Sequence, residues 1–154
     1  MNLVINYRLY PENFWVVEQS DWERATLSDF NTLHFYGDLI FRYSDAIFDY
    51  QNIPLLGFAY EFTEAFLKCL QGQEARVEYC FLESGDWLSL SLSREGKVTV
   101  QASYTDDIAK VPLDTLRMGL KRSNSYLIEE LTYRFPFLKG HPIFRQIAAV
   151  LLIE

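Results

Sequence analysis

Residues 75–104, ARVEYCFLESGDWLSLSLSREGKVTVQASY, decide the fold because apolar and polar side chains alternate along them. Side chains of a β-strand point alternately to opposite faces, so this alternation predicts three antiparallel strands with one buried and one solvated face. The predicted buried face consists of Val77, Tyr79, Phe81, Leu88, Leu90, Leu92, Val98, Val100 and Ala102. Such a sheet offers a polar surface for recognition, and its sequence contains no obvious reaction centre.

The turns between these strands predict how they pair. A two-residue loop at residues 84–85 and a three-residue loop at residues 94–96 both keep the apolar faces together. In the second loop, Gly96 takes the left-handed conformation that three-residue hairpins need. The predicted pairs are Leu82 with Trp87, Leu92 with Val98 and Ser91 with Thr99.

The strongest predicted helix spans residues 54–71. Its apolar residues fill an arc of roughly 220°, far more than the arc of about 100° that a surface helix needs, so the helix should be deeply embedded. Gly57 falls on the narrow polar strip, and Thr63 is the one polar residue within the apolar arc. Pro54 suits the first turn, and Gly72 the position after the end.

The remaining N-terminal segments are predicted from shorter patterns. Alternation predicts strands at residues 2–9 and 35–43, with Gly37 as a bulge in the second. Ser44-Asp45 is a turn signal, after which residues 46–50 return as a second arm. Between the two strands the pattern is ambiguous and allows a short helix at residues 21–25.

The C-terminal segment is predicted to be helical. Apolar spacing predicts either one long helix or a broken pair over residues 112–135, because residues 121–125 place Ser123 and Asn124 on the apolar face. Pro142 should begin a last short helix. The predicted fold is therefore α+β: one domain over residues 1–154, with a single antiparallel sheet of about five or six strands, one embedded central helix and C-terminal helices.

Aromatic residues make up 16% of the chain and are concentrated in its first half. One interpretation is a core rich in Phe and Tyr. The other is a binding surface, because exposed Tyr and Trp provide large contact areas for little loss of conformational entropy. A hydrophobic content of 49% with 23% charged residues is ordinary for a globular chain and argues against disorder.

The net charge is −7, although residues 108–154 reverse the trend with seven basic and four acidic side chains. An acidic surface repels nucleic-acid phosphates and attracts basic partners. The sequence therefore predicts a basic protein partner and no direct contact with nucleic acid.

Several features predict a cytoplasmic location. Cys69 and Cys80 fall on different predicted elements, which favours free thiols over a disulfide. The first residues do not form a signal peptide, and the longest apolar run has seven residues, at 147–153, far too few to cross a membrane. No membrane contact is predicted.

Residue types that carry catalysis or hold cofactors are sparse or unsuitably spaced. The two histidines, His34 and His141, do not form a metal-binding spacing, and the glycines are too isolated for a phosphate-binding loop. Neither cysteine has a predicted base beside it. The sequence predicts no catalytic residue, no metal and no cofactor.

Two alternatives remain open. In the first, Asp38, Asp45 and Asp49 of the first hairpin line a cleft with His34 and perform hydrolysis or metal-assisted chemistry. In the second, a long uncovered edge strand pairs with a second copy in a two-fold dimer. The expected oligomeric state is a monomer or a weak dimer.

One outward residue, Trp87, stands among serines and threonines on the polar face of the sheet. An aromatic residue ringed by small polar and acidic side chains is the usual layout of an interface centre with a charged rim. The competing interpretation is that the C-terminal helices fold over this face. The predicted partner-binding residues are Glu78, Glu83, Asp86, Trp87, Gln101, Asp106 and Asp107.

The stretch FYGDLIFR at residues 35–42 leads to the helix at Pro54, and the meander follows it. This order of elements over residues 35–135, together with the acidity, resembles bacterial toxin-immunity proteins of the polymorphic-toxin and contact-dependent-inhibition type. The resemblance implies a small cytoplasmic protein that has no catalytic centre and occludes the active site of a cognate toxin, often a nuclease. It contains no diagnostic motif, so it assigns no functional residues.

Overall fold

The computed structural model of the chain describes residues 2–153, without the side chains of residues 13, 15, 16 and 19. Residues 1 and 154 of the predicted domain lie outside this range. The described residues form eight strands in two antiparallel sheets and five α-helices. The predicted α+β class is confirmed, but two four-stranded sheets take the place of the single sheet of five or six strands.

The first sheet is built around one central strand. Its members are β1 (Leu3–Leu9), β2 (Tyr36–Tyr43), β3 (Ala46–Ile47) and β4 (Tyr50–Pro54), and β2 pairs antiparallel with the other three. The strands predicted from alternation are confirmed. The predicted turn at Ser44-Asp45 is confirmed too, because Tyr43 pairs with Ala46 across it.

The second arm of this hairpin is not the continuous strand predicted at residues 46–50. Asp49 interrupts it, because its Oδ1 accepts a hydrogen bond from the Phe41 backbone N–H at 3.0 Å, where a paired strand would offer a carbonyl. An irregularity is present at Gly37, as predicted, but the bulge is on the partner strand rather than on β2. The pairing of β2 with β4 shifts just after Gly37, and the extra residue is on β4, where Asn52 has a φ of 58°.

Short helices fill the ambiguous stretch between β1 and β2. They are α1 (Phe14–Gln19) and α2 (Leu27–Thr32), separated by a 3-10 turn at Trp22–Arg24, where a short helix is predicted. Thr26 and Asp29 form a capping box at the start of α2: each side chain accepts the other's backbone N–H, at 3.2 and 2.8 Å.

The central helix, α3 (Leu55–Leu70), is buried around nearly its whole circumference, as its apolar arc predicts. It follows Pro54 directly, and Gly72 with φ of 70° ends it in the left-handed conformation common after helices. The residues with 0% exposure are Leu55, Leu56, Phe58, Ala59, Thr63 and Phe66.

The second sheet is a four-stranded meander. Its strands are β5 (Arg76–Cys80), β6 (Trp87–Leu92), β7 (Lys97–Ala102) and β8 (Thr105–Pro112), paired in chain order. The three predicted strands and their buried face are confirmed. The sequence pattern does not predict β8, because Asp106 and Asp107 lie at an irregularity in its pairing with β7, where alternation is lost.

The β5–β6 turn is longer than predicted. Cys80, rather than Leu82, pairs with Trp87, so the predicted register is wrong by two residues. Because side chains alternate with a period of two, this displacement keeps every side chain on its predicted face.

The reason for the longer turn lies in its backbone. The common two-residue hairpin turns need a positive φ at their first central residue. Ser84 does not have one, whereas Gly85 has a φ of 76°. The loop instead comprises residues 82–85, closed by a hydrogen bond of 2.8 Å from the Phe81 N–H to the Asp86 backbone oxygen.

The β6–β7 loop is the predicted three-residue loop. Leu92 pairs with Val98 and Ser91 with Thr99, and Gly96 has a φ of 76°. Both the register and the left-handed glycine are confirmed.

Two longer C-terminal helices follow, α4 (Leu113–Arg134) and α5 (Pro142–Leu151). α4 continues unbroken through residues 121–125, so the single-helix alternative is the correct one. It packs on β1, and the Ser123 hydroxyl donates to the backbone oxygen of Ile5 at 2.6 Å.

Asn124, the second polar residue on the apolar face of α4, is fully buried and joins four elements. Its Nδ2 donates to Thr63 Oγ1 and to the Leu151 backbone oxygen, both at 3.0 Å, and its Oδ1 accepts from the Tyr7 hydroxyl at 3.1 Å. A satisfied buried amide stabilises one arrangement of these elements. The polar residues on this face therefore need no break in the helix.

Aromatic packing joins the two sheets through α3. The Phe58 ring lies 6.2 Å from that of Tyr7 in β1 and 4.8 Å from that of Tyr79 in β5. Phe62 stacks on Phe58 at 5.1 Å and contacts Phe41 of β2 at 6.0 Å. Most of the aromatic residues of the first half thus belong to the core.

Cys69 is buried and Cys80 exposed, and both are free thiols, as predicted. Within residues 2–153, none of the helices combines the length and the apolarity that crossing a membrane requires.

Gly57 provides a test of how closely the elements pack. A Cβ at this position would lie 1.9 Å from the backbone oxygen of Asn31 at the end of α2. Alanine is favoured over glycine in helix interiors by about 1 kcal/mol. Gly57→Ala should nevertheless lower the free energy of unfolding by about 2–3 kcal/mol, because two backbones must separate. Urea denaturation measures the change.

Gly140→Ala is the matched control, since a Cβ there meets nothing within 4 Å. It should change the free energy of unfolding by less than about 0.5 kcal/mol. A Gly57→Ala protein as stable as the parent would contradict the close contact between α2 and α3.

Candidate partner-binding surface

The polar face of the second sheet is open to solvent. α3 packs against the opposite, apolar face, and α4 reaches this sheet where Leu113 N–H donates to the Gly96 backbone oxygen at 3.0 Å, at one end. The competing interpretation, in which the C-terminal helices bury this face, is wrong. Its exposed side chains include Arg76, Glu78, Cys80, Asp106, Ile108 and Lys110.

Trp87 lies on this face but is only half exposed. The Arg76 guanidinium carbon is 5.1 Å from the centroid of the indole ring, a cation–π distance, and Arg76 also forms a 3.0 Å ion pair with Glu78. Ser89, two residues further along the same face, is 1% exposed, so the exposed side chains of this face lie around its middle. The ring of Trp87 is thus already in contact with a cation of the same chain, Arg76.

Asp86 precedes Trp87 and connects the two sheets. Its Oδ2 accepts from the Tyr50 hydroxyl of β4 at 2.8 Å, and its Oδ1 accepts from the Ser103 hydroxyl at 3.0 Å. The hydrogen bond from Tyr50, and to a smaller extent the one from Ser103, holds the pKa of the Asp86 carboxyl below its usual range. This predicted rim residue is therefore also a structural link.

Of the other predicted residues, some lie at the surface and one lies where the two sheets meet. Glu83 is exposed on the β5–β6 loop, Gln101 is half-buried beside Ser89, and Asp106 is exposed on β8. Asp107 instead accepts the backbone N–H of Ile47 in β3 at 2.9 Å, so its carboxylate also connects the two sheets. The structure brings most of the predicted partner-binding residues to one end of the polar face of the second sheet.

A cleft of about 260 Å³ opens between the sheets beside the β5–β6 loop. Tyr36 and Tyr50 of the first sheet, Tyr79 and Phe81 of the second, and Glu83 of the loop contribute to its lining. The Tyr50 ring stacks on Phe81, with centroids 4.0 Å apart and planes at 12°. We call this space the tyrosine cleft.

Two tyrosines that line the cleft have raised pKa values, mainly through burial and to a smaller extent through carboxylate charge. Burial, and after it the charge of Glu83, raises the pKa of Tyr36. Burial raises the pKa of Tyr79 as well, with a smaller effect of Glu61. Burial is the larger cause for both hydroxyls and the carboxylate charges add to it, so ionised tyrosine is disfavoured in the cleft.

Sequence reasoning missed the tyrosine cleft because its residues lie on separate elements. Tyr36 and Tyr50 flank the first hairpin, whereas Tyr79 belongs to the predicted buried face of the meander. The high aromatic content of the chain is the available signal, and it does not distinguish these few residues from the aromatic core. Nothing in their spacing indicates that they meet.

The structure does not bring the aspartates of the enzymatic alternative together. Asp38 accepts from the Tyr10 hydroxyl, Asp49 is paired with Arg42, and Asp45 is exposed in its turn. His34 packs against Trp22, with ring centroids 4.7 Å apart, and burial lowers the pKa of its imidazole. In residues 2–153, no three His, Cys, Asp or Glu side chains are grouped as metal ligands would be.

The edge strands of the second sheet are β5 and β8. β5 has five residues, with exposed Arg76 and Glu78, and β8 approaches β3 of the first sheet. Short or charged edges are the usual protection against pairing between copies. These edges give the self-association alternative no specific support.

The link between Tyr50 and Asp86 predicts a pH dependence. A folded-state pKa below the unfolded value stabilises the fold above the unfolded pKa, and the contribution is lost as pH falls through the folded-state pKa. Tyr50→Phe removes the first donor, so the pKa of Asp86 should rise toward its ordinary value. A carboxyl ¹³C NMR titration measures it.

Tyr133→Phe serves as the control, because Tyr133 is 82% exposed on α4. It should leave the Asp86 titration as it is in the parent. An Asp86 pKa that does not respond to Tyr50→Phe would argue that the hydrogen bond does not form in solution.

A scan against protein-family models gives no match, and searches of the curated proteins and of the solved structures give no significant match either. The function must therefore be inferred from the geometry of the chain itself.

Proposed function

We propose that this chain is a non-catalytic, cytoplasmic binding protein of the immunity type, which occludes the active site of a basic toxin domain. The observation that carries the proposal is that three features meet at the β5–β6 loop: the polar face of the second sheet, the tyrosine cleft and exposed carboxylates. Concave sites with aromatic walls and a few polar groups are typical of binding sites. The charged rim matches interface anatomy.

The β5–β6 loop is suited to enter a partner's cleft. Leu82, at 72% exposure, and the exposed Glu83 lie on this loop. Tyr50 anchors the loop from β4 through Ser84, whose Oγ lies 2.6 Å from the tyrosine hydroxyl. A loop held in place in the free protein loses little conformational entropy on binding, so its contacts yield more net affinity.

Charge supports a basic partner. The net charge of −7 favours rapid association with a positive surface, and carboxylates can occupy sites that a nuclease offers to phosphates. Arg76 is a cation within the same face, where its contact with Trp87 and its ion pair with Glu78 balance its charge locally. The partner's cations would then meet the carboxylates at the loop end.

Co-expression tests the proposal directly. The product of the neighbouring gene, if toxic, should arrest growth when expressed alone, and co-expression of this chain should restore growth. The two proteins should co-elute as a complex whose association slows as salt is raised. Continued growth arrest on co-expression, together with separate elution at low salt, would contradict the proposed function.

Trp87→Ala tests the position of the interface. It should weaken binding of that toxin by about 2 kcal/mol, mostly through faster dissociation, because a large apolar contact is lost. Surface plasmon resonance measures the rates, and thermal denaturation measures the stability of the same variant. Tyr133→Ala removes an exposed aromatic ring from α4, away from this face, and should leave both rates unchanged. Normal affinity of folded Trp87→Ala would exclude Trp87 from the interface.

A further inference from the structure

We propose that the tyrosine cleft binds an arginine side chain of the partner, with the guanidinium group between the tyrosine rings and the Glu83 carboxylate. This inference rests on the proposed function and names the chemical group that the acidic end of the molecule recognises. Among the described residues, the lining of this space includes Tyr36, Tyr50, Tyr79, Phe81 and Glu83.

The size of the cleft favours a single side chain. Its volume of about 260 Å³ falls just below the range of about 300–1,000 Å³ typical of sites for small-molecule ligands and cofactors. Its walls come from both sheets, and the stacked pair Tyr50–Phe81 is held by the hydrogen bonds of Tyr50 to Asp86 and Ser84. The site is therefore formed before a ligand arrives.

The chemistry of the lining favours a cation. Tyrosine rings attract cations, Glu83 is part of the lining, and the Asp86 carboxylate accepts from the Tyr50 hydroxyl at 2.8 Å. The Tyr79 hydroxyl makes no hydrogen bond within the part of the chain that the structure describes, so it is free to accept one. The charge of Glu83 would repel an anion.

Arginine fits this lining better than lysine does. The guanidinium is flat, stacks on aromatic rings, loses less hydration than an ammonium and can bind a carboxylate with two parallel hydrogen bonds. A lysine would offer a compact and strongly hydrated charge, which gains less from contact with aromatic rings.

Titration with matched small probes tests the inference without any partner. N-acetyl-arginine amide should shift the NMR signals of Tyr36, Tyr50 and Glu83. The neutral isostere N-acetyl-citrulline amide and the cationic N-acetyl-lysine amide should each bind at least about fivefold more weakly. Equal binding of the arginine and citrulline probes, tighter binding of the lysine probe, or shifts located elsewhere would overturn the proposal.

Glu83→Gln supplies the protein-side test, because it removes the charge from an exposed loop residue while keeping its shape. It should weaken binding of the arginine probe by about five- to tenfold and leave the melting temperature unchanged. Glu95→Gln makes the same change in the β6–β7 loop and should bind as the parent does. Unaltered binding by Glu83→Gln would overturn the assignment of the carboxylate.

Failure of this inference can be told apart from failure of the proposed function. A toxin that is neutralised by the Glu83→Gln variant with unchanged affinity would leave the function intact and remove the arginine site. Specific binding of the arginine probe in the cleft, without neutralisation of any neighbouring toxin, would do the reverse.

Discussion

Burial of α3 around nearly its whole circumference is the constraint on which the arrangement of the other elements depends. A helix whose apolar arc spans most of its circumference needs more covering surface than one sheet can provide. The two sheets and α5 provide that surface, and Phe58 touches aromatic rings from both sheets. The close approach of α2 at Gly57 completes the enclosure.

Both sheets pack on one helix, and their edges are joined by hydrogen bonds that involve side chains. Asp107 bonds to the backbone of Ile47, Tyr104 donates to the backbone oxygen of Phe48 at 2.7 Å, and Asp86 accepts from Tyr50. The tyrosine cleft lies beside these polar contacts, since Tyr50 belongs to both. The candidate surface is thus a by-product of how two separate sheets meet, and it is preorganised for that reason.

Periodicity accounts for what the sequence could predict. The buried face from Val77 to Ala102 follows from a period of two, and the burial of α3 and of Asn124 follows from the helical period. Periodicity fails where the backbone is irregular, as at Asp106 in β8 and at the loop beginning with Leu82. It also contains no information on contacts between distant elements, which is why Trp87 could be predicted as outward but Arg76 could not be predicted to lie on its ring.

The contact between α4 and β1 has a consequence for the nascent chain. Ser123 donates a hydrogen bond to Ile5, which lies 118 residues earlier in the chain. Because ribosomes add about 5–20 residues per second, roughly 6–24 s pass between the synthesis of β1 and that of the part of α4 that packs on it. During that interval the part of β1 that α4 covers is open, and a contact of such long range forms late in folding. Translation speed and chaperone access therefore bear directly on how much of this protein reaches its native state.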